Sequence, residues 1–470
     1  MELHLKLVGR QNLGAQIYSQ IRRRILDGEL PAGAAVPSTR ELSSLLEVSR
    51  NTVAVAYDRL VAEGFLTSRP GVGTRVGSVP VQADRVARST PLRARPVWDE
   101  IPEFDDLSIA SPEYDFRAGL PDASEFPYST WRRLVADELR PRGVGRGAHI
   151  APVGLLALRE ALARHIAVSR GVHAAVDDVI VTSGSQQAVD LTAKVLLEPG
   201  DIVAVEDPGY DPPRLLFSSA GARVIGVPVD REGLVVDALP NDARLVYVTP
   251  SHQFPLGMPM SLSRRLALLQ WAERTGAVIF EDDYDSEFRY AGRPLEPLYS
   301  LDPHGRVIYA ASLSKVLLPT LRLGFLISPP ALRTAFTKAK QLTDWHTAAP
   351  MQAALARFVA DGSLARHIRR MRVRYAERHH AVAEILGRDF TGLLELVPSS
   401  AGLHLSAAIP PGGPDDKAVV ASARSAGVAV ESVSRFAMTQ RRNGLLVGYG
   451  GIRPELIAEG LQRLHKVLSP

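Results

Sequence analysis

Apolar residues recur along this chain with two different rhythms. Between Leu13 and Asp27, Ile17, Ile21, Ile25 and Leu26 fall at helical spacing while Arg22, Arg23 and Arg24 turn the other way. That spacing predicts an amphipathic helix, and Asp27-Gly28 predicts its end. Ser38 followed three residues later by Glu41 reads as a capping box that opens a short helix over Thr39 to Glu47. Ser49 starts a third helix that runs to about Glu63 and stops at Gly64. Leu66 to Val76, interrupted by Gly71 and Gly73, predicts two short strands around a glycine turn. Three helices followed by a small hairpin is the winged helix-turn-helix plan.

The second rhythm begins at Asp115. Val179-Ile-Val181, Ile202 to Val205, Val224 to Val227, Leu245 to Val248, Val278-Ile-Phe280 and Val307-Ile-Tyr309 are short and wholly apolar, and helical stretches such as Leu262 to Arg274 separate several of them. Strands without polar alternation are buried on both faces, so the pattern predicts an α/β domain built on a mostly parallel sheet. An arginine-rich helix through Arg369, Arg372, Arg374 and Arg378 follows, then a smaller α+β portion from Leu393 onward. Between the two rhythms, Arg85, Arg88, Arg93 and Arg95 alternate with Pro80, Pro91 and Pro96, which is the chemistry of an extended, solvated linker. The expected domains are 1–78 for the winged helix, 79–112 for the linker and 113–470 for the α/β unit, with a small subdomain at about 390–470.

Composition narrows the picture. With 470 residues and 46% hydrophobic content, the chain can bury more than one core. It has no cysteine, which excludes disulfides, thiolate metal sites and a cysteine nucleophile and fits a reducing cytoplasm. No signal peptide or membrane-spanning run is expected from the pattern. The formal net charge of +4 only permits nucleic-acid binding, so clustering matters more than the sum.

The first cluster lies in the winged helix. The start of a third helix in this plan faces the major groove, and here it carries Ser49, Arg50, Asn51 and Thr52, all able to read base edges or phosphates. Arg40, with Thr74 and Arg75 on the wing, would hold backbone phosphates of double-stranded DNA. The segments Leu30-Pro-Ala-Gly-Ala-Ala-Val-Pro37-Ser38-Thr-Arg40-Glu-Leu, Val48-Ser-Arg50-Asn51-Thr52-Val and Leu60-Val-Ala-Glu-Gly-Phe resemble the GntR group of bacterial regulators.

The second cluster centres on Ser312-Leu-Ser314-Lys315, with Arg322 just beyond. A partly desolvated lysine amine is nucleophilic enough to form an imine with an aldehyde, and the hydroxyls and Arg322 suit a phosphate. Those are the needs of pyridoxal 5'-phosphate (PLP), although this stretch alone reads equally as a solvated loop. Four further stretches fall at strand ends. Thr182-Ser183-Gly184-Ser185 leads into a helix and suits a phosphate cradle. Tyr210, in Glu206-Asp-Pro-Gly-Tyr210, could stack on a ring. Glu281-Asp282-Asp283-Tyr284-Asp285 offers a buried carboxylate for a pyridine nitrogen. It lacks the glycine-containing loop a calcium site needs, and no metal ligand set is expected. Thr249-Pro-Ser-His252-Gln-Phe-Pro255 is a rigid polar turn.

Together these stretches resemble fold-type I aminotransferases from about Phe116 to the C-terminus. With the GntR-like domain in front, the whole is similar to the MocR family of regulators, as the phrases Glu281-Asp-Asp-Tyr-Asp-Ser-Glu-Phe, Ser251-His-Gln-Phe-Pro and Ala401-Gly-Leu-His404 underline. The resemblance implies that Lys315 holds PLP as a Schiff base and that Asp282 pairs with the pyridine nitrogen. Tyr284 is then expected at the phenolate oxygen, with Tyr210 stacked on the ring. Ser183, Gly184, Ser185, Ser312 and Arg322 would hold the phosphate. It also implies a head-to-tail homodimer. Two positions depart from the aminotransferase pattern. Leucine stands in Asn443-Gly-Leu445-Leu446, where an arginine usually grips the substrate carboxylate, with Arg442 only nearby. His149 opens His149-Ile-Ala-Pro152-Val-Gly154, where a tyrosine usually reaches the partner subunit's phosphate. The expected function is a PLP-sensing transcription regulator of the PdxR type, with at most a slow half-reaction. A GabR-like amino acid sensor and an active aminotransferase are the alternatives.

Overall fold

The computed structural model describes residues 3–469 except 70, 72, 79–91, 104–111, 141–147, 293–294 and 440. It divides into two compact units, Met1–Arg95 and Pro96–Pro470. Most of the expected linker, including Arg85, Arg88, Pro80 and Pro91, lies outside the described residues.

In the first unit, helices Leu13–Leu26, Thr39–Leu45 and Arg50–Ala62 precede a hairpin of Leu66–Arg69 paired with Gly73–Val76. Ile17, Ile21, Ile25, Leu42, Val53 and Leu60 fill its core, the apolar stripe that the helical spacing predicts. The capping box forms as expected: Glu41 N–H donates to Ser38 Oγ at 3.2 Å and Ser38 N–H donates to the Glu41 carboxylate at 2.8 Å. The second helix ends at Leu45, before the expected Glu47, because Glu47 takes the left-handed φ of 51°. A non-glycine residue there stops helical propagation and swings the chain towards the next cap.

The second unit is built on an eight-stranded sheet in the order Val179–Thr182, Gly324–Ile327, Val307–Ser312, Val278–Asp283, Ala243–Val248, Ile202–Asp207, Arg223–Asp230 and Gly233–Leu234. Pairing is parallel except where Gly324–Ile327 and Gly233–Leu234 join their neighbours. Helices cover both faces, over cores that contain Ile279 and Trp271 on one side and Phe280 and Phe217 on the other. A sheet buried on both faces has no need for polar alternation, which is why its strands read as continuous apolar runs.

A four-stranded sheet of Glu395–Leu396, His404–Ala408, Gly444–Gly448 and Glu431–Ser432 forms the smaller portion. That portion is not contiguous at about 390–470, as the sequence suggested. Tyr114–Asp115 pairs in parallel with Val428–Ala429, and Gly448 N–H donates to Phe116 O at 2.7 Å. The N-terminal strand of the unit is too short to announce itself; its backbone pairs with that distant partner and its Tyr114 ring lies under Arg463 of the C-terminal helix Pro454–Leu468. Among the described residues, no helix is long and apolar enough to cross a membrane.

Candidate cofactor site

The parallel strands end together at one edge of the large sheet, where ligands collect in such folds. A cavity of about 410 Å³ opens there, lined by Asp282, Tyr284, Ser312, Ser314, Lys315, Arg322 and Tyr210 among others. Lys315 Nζ donates to Gly119 O at 2.8 Å. Gly119 has φ +73°, and a Cβ at that position would lie 2.6 Å from the lysine amine, so only glycine leaves the amine its place. Burial lowers the Lys315 pKa, against the pull of Asp285 and Asp282. An amine so placed holds more of its neutral, nucleophilic form than an exposed lysine does.

Asp282 sits at the end of Val278–Asp283. Its Oδ2 accepts a hydrogen bond from the Tyr247 hydroxyl at 2.7 Å, while its buried Oδ1 has no partner. Burial raises this carboxyl to about 7. A buried oxygen left unpaired is costly unless a donor arrives, and a protonated ring nitrogen is such a donor. Next along the chain, the Tyr284 oxygen lies 3.0 Å from His252 Nδ1, which also lies 2.9 Å from Asp285 Oδ2. The Asp285 carboxylate fixes the proton on Nδ1, so the tyrosine oxygen can only accept there. The Tyr284 hydroxyl hydrogen therefore remains available to the cavity. Tyr210, 39% exposed, meets Phe254 edge-on at 5.3 Å on the opposite wall.

At the other end of the cavity, Ser185 begins the helix Ser185–Leu196 and Gly184 turns the chain with φ +86°. Arg322 Nη2 donates to Ser183 O at 2.7 Å, and a Cβ at Gly184 would lie 3.1 Å from that guanidinium. Ser312 Oγ donates to Ser314 Oγ at 2.9 Å beside them. Free helix-start N–H groups, hydroxyls and a guanidinium converge as an anion site requires. Ser185, Ser312 and Arg322 line the cavity; Ser183 and Gly184 shape it from behind. The Ser183 N–H is taken by Gln187 Oε1 at 2.8 Å.

His149 is not among the residues lining this cavity. Its ring stacks on Trp345 at 4.8 Å, with Nδ1 3.3 Å from His346 Nε2. In the winged helix, Arg40, Ser49, Arg50, Asn51 and Arg75 are exposed. Ser49 Oγ caps Thr52 N–H at 3.1 Å, and Arg75 Nη1 donates to Gly33 O at 2.9 Å. Thr74 Oγ1 reaches Ser68 Oγ at 3.5 Å. Sequence reasoning did not find Arg117, Tyr247, Glu431 or Arg435, which also line the cavity. Tyr247 was discoverable as the one phenol in the apolar run Leu245–Val248; the other three come from segments with no strand or helix signal of their own.

The comparisons agree with this architecture. Residues 13–76 match the model of bacterial regulatory proteins of the gntR family, and residues 123–463 match that of aminotransferase class I and II. The probable rhizopine catabolism regulatory protein MocR of Rhizobium meliloti is 37% identical, over 96% of this chain and 92% of its own length. The chain belongs to the MocR family. The pyridoxine biosynthesis transcriptional regulator PdxR of Corynebacterium glutamicum is another relative, 34% identical over 93% of this chain and 92% of its own. Among solved structures, the kynurenine aminotransferase of Pyrococcus horikoshii superposes with a TM-score of 0.71 at 30% identity, covering 80% of this chain and 95% of that one.

The match to aminotransferase class I and II implies pyridoxal 5'-phosphate, and the unpaired Asp282 oxygen and the Gly184–Arg322 cradle fit it. None of Leu445, Leu446 and Arg442, from the stretch where an arginine clamp usually stands, is among the described residues that line the cavity. Leu446 pairs with Glu431 across the small sheet, and Arg442 donates to Val229 O, turned away from the cavity.

Proposed function

We propose that this MocR-family regulator senses pyridoxal 5'-phosphate itself, in the manner of the PdxR-type proteins, and controls genes of vitamin B6 supply. When bound, the cofactor supplies an aldehyde and an electron-withdrawing ring. In this reading the Lys315 amine anchors it and Asp282 receives the ring N–H. The Tyr284 hydroxyl donates to the ring oxygen and Tyr210 covers one face. Ser183, Gly184, Ser185, Ser312 and Arg322 form the phosphate seat. His149, exposed beside Trp345, is the group offered to a second subunit in a head-to-tail homodimer of a cytoplasmic protein. Arg40, Ser49, Arg50, Asn51, Thr52, Thr74 and Arg75 meet operator DNA, with a linker joining domains 1–78 and 113–470.

The observation that carries the sensor reading is the fate of the cations around the amine. Arg117 is held bidentately by Asp115 at 2.6 and 2.8 Å, and Arg435 faces Glu431 at 3.6 Å. An amino acid substrate loses its main handle without a guanidinium given over to its carboxylate. A ligand shifts DNA binding only if it prefers one arrangement of the protein over another. The test is a mobility shift on the DNA upstream of the chain's own gene, titrated with PLP. A PLP-dependent change in affinity is expected, and no change overturns the reading. An active aminotransferase is the second reading, supported by Lys315, Asp282 and Tyr284 lining one cavity. Sustained multiple turnovers with a common amino acid would establish it.

A further inference from the structure

The small sheet turns one face towards the cavity, and register identifies it. Leu446 pairs with Ser406 and with Glu431, and His404 pairs with Gly448. Cross-strand partners and alternate residues share a face, so His404, Ser406, Leu446 and Glu431 stand together. The opposite face, with Leu405, Ala407, Leu445 and Val447, is packed into the main core. His404 Nε2 and Ser406 Oγ both donate to Pro255 O, at 3.1 and 2.6 Å. Burial and the neighbouring His252 keep the His404 imidazole neutral, far below its usual range. The ionisable group this face offers the cavity is therefore Glu431. Burial raises its carboxyl against the pull of the Ala118 N–H, Arg435 and Lys315, so an arriving cation favours its carboxylate form.

Glu431 is tethered but not saturated. Its Oε2 accepts Ala118 N–H at 2.9 Å, while Oε1 lies 3.6 Å from Arg435 Nη1, beyond a strong hydrogen bond. Its side chain keeps 22% of its surface accessible and lines the same cavity as Lys315. A carboxylate has about four lone-pair sites, so Oε1 can still accept from a ligand's ammonium or hydroxyl. A ligand carboxylate brought here would meet a like charge and compete with Glu431 for Arg435, a costly juxtaposition.

We propose that Glu431 makes the space in front of Lys315 a subsite for a carboxylate-free primary amine whose far end carries a hydroxyl or a second ammonium group. The proposal rests on the sensor reading above and adds a second ligand to the same site.

The test uses the PLP-loaded full-length protein, titrated calorimetrically with putrescine, aminobutanol and γ-aminobutyrate, which share a chain length and differ at the far end. Putrescine and aminobutanol are expected to bind at least about tenfold more tightly than γ-aminobutyrate, as a charge-assisted hydrogen bond against a repulsion implies. Glu431→Gln should collapse that ratio, mainly through weaker putrescine binding, and Glu431→Asp should restore part of it. The visible absorbance of the bound cofactor checks that both variants are folded. Equal binding of the three probes, no binding of any, or a ratio unchanged in Glu431→Gln overturns the proposal. None of these results bears on whether PLP alone moves the DNA equilibrium, so the two readings fail separately.

Discussion

The two halves of the cavity have diverged to different degrees from what an aminotransferase requires. On the large-sheet side, Lys315, Asp282, Tyr284 and the Gly184–Arg322 turn keep an arrangement suited to an aldehyde, a ring nitrogen and a phosphate. On the small-sheet side, the cavity is lined by Glu431 and His404, and Leu446 stands beside Glu431 in the sheet, an arrangement poorly suited to a carboxylate. The difference teaches that holding the cofactor and recognising an amino acid are separable, because they are built on different sheets. One can change without disturbing the core behind the other.

The largest expected effect tests the retained half. Lys315→Ala should abolish the visible absorbance of bound cofactor and the response of DNA binding to PLP, measured by spectroscopy and mobility shift. Asp282→Asn should weaken PLP binding by about 2 kcal/mol, roughly thirtyfold, since a neutral amide replaces the charged acceptor; a cofactor titration reads it. The same variant has a pH signature. Folding raises the Asp282 carboxyl from 3.8 to about 7, so the cofactor-free protein loses stability as pH rises through that window. The melting temperature of Asp282→Asn, without cofactor, should gain on the wild type from low pH to about 7 and then level off. A constant gap would remove the burial argument.

Smaller effects sharpen the comparison. Gly184→Ala places a Cβ on a backbone of φ +86° and 3.1 Å from Arg322. Strain of about 1–2 kcal/mol should lower PLP affinity by roughly tenfold in equilibrium titration. Arg442→Ala should change PLP affinity by less than about twofold, as its guanidinium is engaged with Val229 O and surface changes of this kind are near neutral. A large loss there would mean that the clamp persists in another form.

Sequence patterning reached the winged helix because its helices carry local signals: a stripe at helical spacing, a Ser38–Glu41 box and a glycine turn. Six of the eight large-sheet strands were legible as apolar runs, five of them buried throughout or nearly so and Arg223–Asp230 only half-buried near the sheet edge. The short Gly233–Leu234 and the antiparallel setting of Gly324–Ile327 were not, since strand direction is a property of the partner and not of the run itself. Lys315, Asp282 and Gly184 could be named because a nucleophile, a carboxylate and a turn glycine at strand ends have recognisable local chemistry.

What the sequence by itself determined was the pair of domains, the parallel sheet and the residues whose chemistry suits the cofactor, all properties of short contiguous stretches. Only the tertiary structure decided which oxygen of Asp282 is left unpaired, that Arg442 is occupied elsewhere, and that Glu431 comes to lie in the cavity with Lys315. Those facts depend on strand register and on contacts between residues from tens to more than two hundred positions apart, and neither is encoded in local periodicity.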